Sequence, residues 1–250
     1  MSAPEFVRRI DTEADIAAGL DALFAADSRL KAAAAVAGAV PLRRRPGGFA
    51  GIASIVVSQQ LSTASAGAIW GRLVAAYDPF TPHALIRARA DRLARLGLSA
   101  AKIRALKEIA KAIAGGALDC DALTTMPAES AHRILCTVHG IGPWTADIYL
   151  LFCVGHADIW PAGDLALQEA ARIALALPSR PDAKQTSHLA EPWRPWRAIL
   201  SSSSMATAPT AMTSSSSGAR GRACCRTQRS CRPMRPSAAP RRRPAGSGLR

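Results

Sequence analysis

Apolar residues recur at intervals of three and four along most of the first two hundred positions, interrupted by polar caps. Such spacing lines one face of a helix with apolar side chains. It predicts helices over Asp11 to Ala26, Ser28 to Gly38, Gly48 to Gln60, Ser62 to Tyr77, Thr81 to Ala90, Ser99 to Gly115 and Pro127 to Val138. Ser, Thr, Asp or Pro stands at their starts and Gly near several of their ends, as helix termini favour. No segment alternates convincingly with period two. Val36 to Leu42 is the one candidate for a short strand, and its Ala-rich run favours helix instead. The expected class is therefore all-α, with apolar residues enough for one helical core or two packed lobes. The Arg43-Arg44-Arg45-Pro46-Gly47-Gly48 link reads as a loop, either a solvated basic turn or a phosphate contact.

The stretch from Leu135 to Asp147 carries the strongest local signal. Ile134, Leu135 and Val138 end one helix, Gly140-Ile141-Gly142 makes a tight turn, and Pro143 opens the next helix. This is a helix-hairpin-helix. Its glycines permit close approach and positive φ, and the free N–H groups that follow suit an anion such as a DNA phosphate. Gly140, Ile141, Gly142 and Thr145 are thus the expected DNA-contacting positions, gripping backbone without reading sequence. An ordinary helical turn with a glycine stop is the plainer alternative.

Twenty residues beyond Trp144 stands a lone acid, Asp164, after Pro161-Ala162-Gly163 and before the helical run Leu165 to Arg172. Asp is a favoured helix cap, so one role is structural. Both roles can hold together, because a helix start favours a negative charge, and negative charge is what a reaction through a cationic sugar requires.

Composition divides the chain in two. All five Trp, both Tyr and all five Phe lie before Ser201. Residues 201–250 contain ten Arg but no acid, Lys or aromatic residue, with Leu249 as their one large aliphatic. Of the formal +14, this tail supplies +10, leaving 22 basic against 18 acidic residues in the rest. The high pI is a tail property, no argument for a basic face on the folded part. The tail is expected to be disordered and is read as a frameshift product beginning just after Leu200, with a basic nucleic-acid arm as the competing account. There is no apolar run of membrane length and no secretory signal, so a soluble protein is expected; a cytoplasmic, nucleoid-associated monomer is the accompanying expectation. Cys120, Cys136 and Cys153 read as buried helix positions, and Cys224, Cys225 and Cys231 lie in the tail. None has the four-cysteine spacing of a zinc or iron–sulfur site, and no metal site is expected.

The hairpin and its following acid resemble the helix-hairpin-helix DNA glycosylase superfamily, in particular its DNA-3-methyladenine glycosylase II members. Val56-Val57-Ser58-Gln59-Gln60-Leu61-Ser62 and Glu191-Pro192-Trp193-Arg194-Pro195-Trp196-Arg197 resemble segments of that family in the expected order, and the likeness runs from about Ile10 to Leu200. The resemblance implies a two-lobed glycosylase fold over residues 1–200, with the hairpin motif at about 127–154 and a catalytic loop at 158–165. It also implies base excision repair of alkylated bases, 3-methyladenine and 7-methylguanine, in double-stranded DNA, by flipping the nucleotide out of the stack.

Asp164 would then be the catalytic acid group, and Trp144, Trp160 and Tyr149 would line the base pocket. Gln60 or Leu61 would fill the gap left by the flipped base. Relatives that also cut the backbone carry a lysine two residues after the second hairpin glycine; here Trp144 stands there, implying a monofunctional enzyme without lyase activity. No cofactor is implied beyond a monovalent cation at the hairpin carbonyls. Two rival readings remain open: a non-catalytic helix-hairpin-helix DNA-binding module, and a truncated or inactive relative that binds DNA without excision. The family's final helix often carries aromatics, whereas here the apolar pattern stops after Ala198-Ile199-Leu200.

Overall fold

The computed structural model describes residues 7–207, and the expectations for the tail beyond Thr207 lie outside the described residues. Twelve α-helices follow one another in this stretch: α1 Glu13–Ala26, α2 Arg29–Ala37, α3 Gly48–Ser58, α4 Thr63–Ala76, α5 Pro82–Arg87, α6 Ala90–Arg95, α7 Ala100–Ala114, α8 Ala128–Thr137, α9 Pro143–Tyr149, α10 Leu165–Ala174, α11 Ala183–Leu189 and α12 Arg197–Thr207. Among the described residues there is no strand, only an isolated bridge between Arg9 and His156. None of these helices is long and apolar enough to cross a membrane.

Local chemistry explains most boundaries. Thr12 and Asp15 form a reciprocal cap that starts α1, and Ser62, Thr81 and Ser99 each accept an amide of the first turn they precede. The strand alternative at Val36 to Leu42 does not form, since α2 runs to Ala37 and stops at Gly38, where φ is +78°. The helix expected over Thr81 to Ala90 ends at Arg87, and after extended backbone at Ala88 and Arg89 a further helix, α6, which the pattern does not predict, begins at Ala90. Helix α11, not anticipated, is held by a reciprocal cap between Asp182 and Gln185.

Two apolar cores result. The first surrounds α3, whose Phe49, Ile52, Ala53, Ile55, Val56 and Val57 are all buried, so this helix is covered on nearly every side. Helix α7 packs on it through Ile103, Leu106, Ile109 and Ala110. Each fully buried Leu or Ile here contributes roughly 1.5–3 kcal/mol. The second core joins the ends of the described chain, Leu23 and Leu30 packing with Trp160, Leu167, Trp193, Trp196 and Ile199.

The Trp-Arg-Pro-Trp-Arg segment clamps this second core. Trp193 donates its indole N–H to Asp27 and meets Trp160 edge-on. Arg197 makes a two-point pair with Asp158 at 2.6 and 3.0 Å, and Arg194 reaches Asp158, Glu129 and Glu191. The helix that follows does not stop at Leu200. It continues to Thr207, with Ser201 fully buried and its hydroxyl near the carbonyls of Ile159 and Arg197, so the boundary expected at 200/201 cuts through a helix.

Gly19 of α1 tests this seating of α12. A Cβ there would lie 2.1 Å from Ile199 Cδ1 and 2.7 Å from the Trp196 ring. Gly19→Ala should therefore destabilise the protein by about 1–3 kcal/mol, lowering the melting temperature by several degrees. An unchanged melting temperature would show that α12 does not pack there.

Candidate active site

The hairpin is built from α8 and α9, its turn closed by the Ile141 amide donating to the Val138 carbonyl at 3.0 Å. Gly140 has φ +95°, and a Cβ on it would stand 2.5 Å from Ala105 Cβ. Glycine is demanded there by packing on α7 as well as by conformation. Gly142 differs: it is exposed, with extended backbone, and a Cβ on it would meet nothing within 4 Å. Pro143 follows at the first helical position, and the first carbonyl to serve α9 is that of Gly142, accepting from Ala146 at 3.0 Å. The amides of Trp144 and Thr145 therefore precede any helical acceptor.

Asp164 lies where the hairpin's second helix meets the start of α10. Its Oδ1 accepts the amides of Ala166 and Leu167 at 2.9 and 3.1 Å, and its Oδ2 accepts the indole N–H of Trp144 at 2.8 Å. Both the capping role and the proximity to the hairpin are thus met by one half-buried carboxylate. The loop before it is pinned. Asp164 N donates to Pro161 O at 2.8 Å, and the buried Gln168 donates its amide to Ala162 O at 2.8 Å. Leu165, the next residue, is 62% exposed and adds apolar surface beside the carboxylate.

A glycine-cornered hairpin whose second helix is bonded to a helix-capping aspartate matches known proteins. The description "HhH-GPD superfamily base excision DNA repair protein" fits residues 53–195, more than half of the chain. The chain belongs to this superfamily. A DNA-3-methyladenine glycosylase of Schizosaccharomyces pombe is 32% identical over 130 residues, covering 50% of this chain and 57% of that protein. A probable bifunctional transcriptional activator/DNA repair enzyme AlkA of Mycobacterium tuberculosis is 33% identical over 204 residues, covering 75% of this chain and 39% of that one. The chain therefore spans from about two fifths to somewhat over half of these two relatives. The solved S. pombe 3-methyladenine DNA glycosylase in complex with abasic DNA superposes with a TM-score of 0.70 at 25% identity, over 77% of this chain and 98% of that one.

In this superfamily member several expected site residues sit elsewhere. Tyr149 is 1% exposed in the first core, its hydroxyl taken by the Gly48 amide at 3.0 Å, so it is a core residue and no pocket wall. Trp160 is 9% exposed and its indole donates to Thr186 O at 3.0 Å, which fixes the ring in the second core. Ile141 is 4% exposed and plugs the first core from the turn. Thr145 is 2% exposed and its side chain faces inward, accepting from Gln59 Nε2 at 2.7 Å. Tyr149 and Ile141 thus fill the first core, while Trp160 packs in the second and also borders a cavity.

Gln60 and Leu61 form the corner between α3 and α4. Leu61 is 40% exposed, and Gln60 has φ +56°, a left-handed conformation that costs a non-glycine residue roughly 1 kcal/mol. Lys102 of α7 caps this corner, its ammonium bonded to Val57 O at 2.7 Å and Gln59 O at 2.8 Å. The sequence pattern does not mark Lys102, and it marks Gln59 only as part of the Val56 to Ser62 segment, because both bonds join positions at least 43 residues apart.

Behind the hairpin a cavity of about 410 Å³ is lined by His132, Asp147, Asp158, Trp160, Arg194 and Arg197, among others. Burial pushes the Asp147 carboxyl up to about 7, while Arg197 opposes this, and His132 Nε2 stands 3.4 Å from its Oδ1. A carboxyl whose folded pKa is raised binds its proton more tightly in the native state, so stability falls as pH rises from about 4 to about 7. Asp147→Asn should remove that slope and stabilise the protein at pH 8 relative to the parent, with little difference at pH 4. A variant less stable than the parent at pH 8 would mean that the ionised Asp147 is a net favourable partner of His132.

Proposed function

We propose that this chain is a monofunctional DNA glycosylase that hydrolyses the N-glycosidic bond of alkylated bases, 3-methyladenine and 7-methylguanine, in duplex DNA. The observation that carries this reading is the Asp164 carboxylate, fixed by three N–H donors and joined through Trp144 to the hairpin. Glycosylase relatives and a DNA-bound structural neighbour support the same direction.

The open Gly142 and the following amides receive a phosphate of the damaged strand. This contact recognises backbone, so it holds any duplex while the lesion is tested. The damaged nucleotide leaves the stack at a cost of a few kcal/mol, and Gln60 or Leu61 fills the gap. Trp144 presents its ring to the extruded base, its orientation set by the bond to Asp164. A cationic methylated base gains roughly 0.5–2 kcal/mol on an indole face over a neutral one, which selects charge more than shape.

Methylation makes the base a good leaving group. The C1′–N bond breaks with its electron pair going to the base, which departs neutral, and the sugar becomes an oxocarbenium ion. Asp164 stabilises that charge and orients a water, which adds at C1′ and gives up its proton toward the carboxylate. The product is a free base and an intact strand with an abasic site. No amine stands at Trp144 to form a Schiff base. Carbonyls of the hairpin turn would hold a monovalent cation, which would supply positive charge toward a phosphate.

Asp164→Asn should slow release of 7-methylguanine by at least ~10²-fold while duplex affinity stays within about threefold, because the carboxylate acts on the transition state. Borohydride should trap no protein–DNA adduct. A variant that keeps more than a tenth of the parental rate, or efficient trapping, would overturn the mechanism; DNA binding with no release by the parent would favour the inactive relative. Gly142→Leu should weaken binding to damaged and undamaged duplexes alike without lowering the melting temperature, whereas Gly140→Leu should lower the melting temperature through its contact with Ala105. Loss of affinity for damaged duplex alone would contradict a phosphate-gripping role for Gly142.

A further inference from the structure

The corner between α3 and α4 is tied to the hairpin by a single side-chain strut. Gln59 Nε2 donates to Thr145 Oγ1 at 2.7 Å, and Thr145 follows Trp144, whose indole N–H holds Asp164. On its other side Gln59 is fixed through its carbonyl, which shares the Lys102 ammonium with Val57. The next residue, Gln60, has left-handed backbone, and Leu61 projects from the corner. A strained corner persists only where its surroundings hold it. Here those surroundings are the Lys102 cap and the bond to Thr145. Thr145 is 2% exposed, so this bond is largely shielded from water, where a lost partner is costly.

We propose that Gln59 and Thr145 are positioning residues that set the reach of the Gln60–Leu61 wedge relative to the Trp144–Asp164 pair, coupling insertion into the duplex to delivery of the base. The inference rests on the glycosylase reading above. The strut touches neither base nor sugar. It acts on extrusion, so its loss falls hardest on a lesion that must first be unpaired and lightly on one already loose in the helix.

The test measures single-turnover release of one 7-methylguanine, paired with cytosine or set opposite a mismatched adenine, by the full chain. Gln59→Ala and Thr145→Val should each slow release from the paired substrate by about 10–100-fold, the scale of an unpairing cost, and from the mismatched one much less. The double variant should be no slower than either single, and Thr145→Ser, which keeps the hydroxyl, should restore the paired-substrate rate. Equal slowing on both substrates, or additive losses, would overturn the proposal. Amide hydrogen exchange at Gln60 and Leu61 reads the strut without any activity. It should quicken in Thr145→Val and not in Thr145→Ser, and unchanged exchange would overturn the proposal even if the parent released no base. Absence of release by the parent from both substrates would instead count against the glycosylase reading.

Discussion

One hydrogen bond organises the proposed chemistry: the Trp144 indole N–H to Asp164 Oδ2 at 2.8 Å. It joins the hairpin's second helix to the first residue before α10, and so ties the proposed phosphate-binding turn to the proposed catalytic carboxylate. The same bond fixes an aromatic ring beside that carboxylate. Because the other carboxylate oxygen is held by two backbone amides, Asp164 cannot swing away when Trp144 moves. Stabilisation of a developing cation depends on such preorganisation, since a group that must reorient at the moment of reaction loses part of its effect.

The rest of the fold can be understood as support for that junction. The first core seats the hairpin through Leu135, Ile141, Ala146 and Ile148. The second core carries α10 through Leu167 and holds the preceding loop through Trp160. Asp158 enters that loop under two-point restraint from Arg197, and Arg197 begins the last described helix. The start of α12 thereby bears on the loop that leads to Asp164. The loop that presents Asp164 starts from the ion pair of Arg197 with Asp158.

Much of this was legible in the sequence, and the reasons are specific. Gly140, Pro143 and Asp164 each answer a local backbone demand, and local demands leave marks at fixed spacing. Trp144 was placed by its position in the hairpin. What failed were side chains whose chemistry suits two settings. Tyr149 and Trp160 could wall a pocket or fill a core, and only packing decides. Thr145 lies on the first turn facing DNA in sequence terms but turns inward to Gln59. The split between α5 and α6, the cap at Lys102 and the continuation of α12 past Leu200 depend on distant partners. Ser201 illustrates the last: a polar residue that ends the apolar pattern is buried all the same, because its hydroxyl finds carbonyl partners.

The central pairing is tested most directly by Trp144→Phe in single-turnover release of 7-methylguanine from duplex DNA. Phenylalanine keeps an aromatic ring, smaller than indole, to receive the base and removes the N–H that holds Asp164. A release rate about tenfold lower, with duplex affinity unchanged, is the predicted result, corresponding to loss of one hydrogen bond to a charged group. A release rate equal to the parent's would contradict the account.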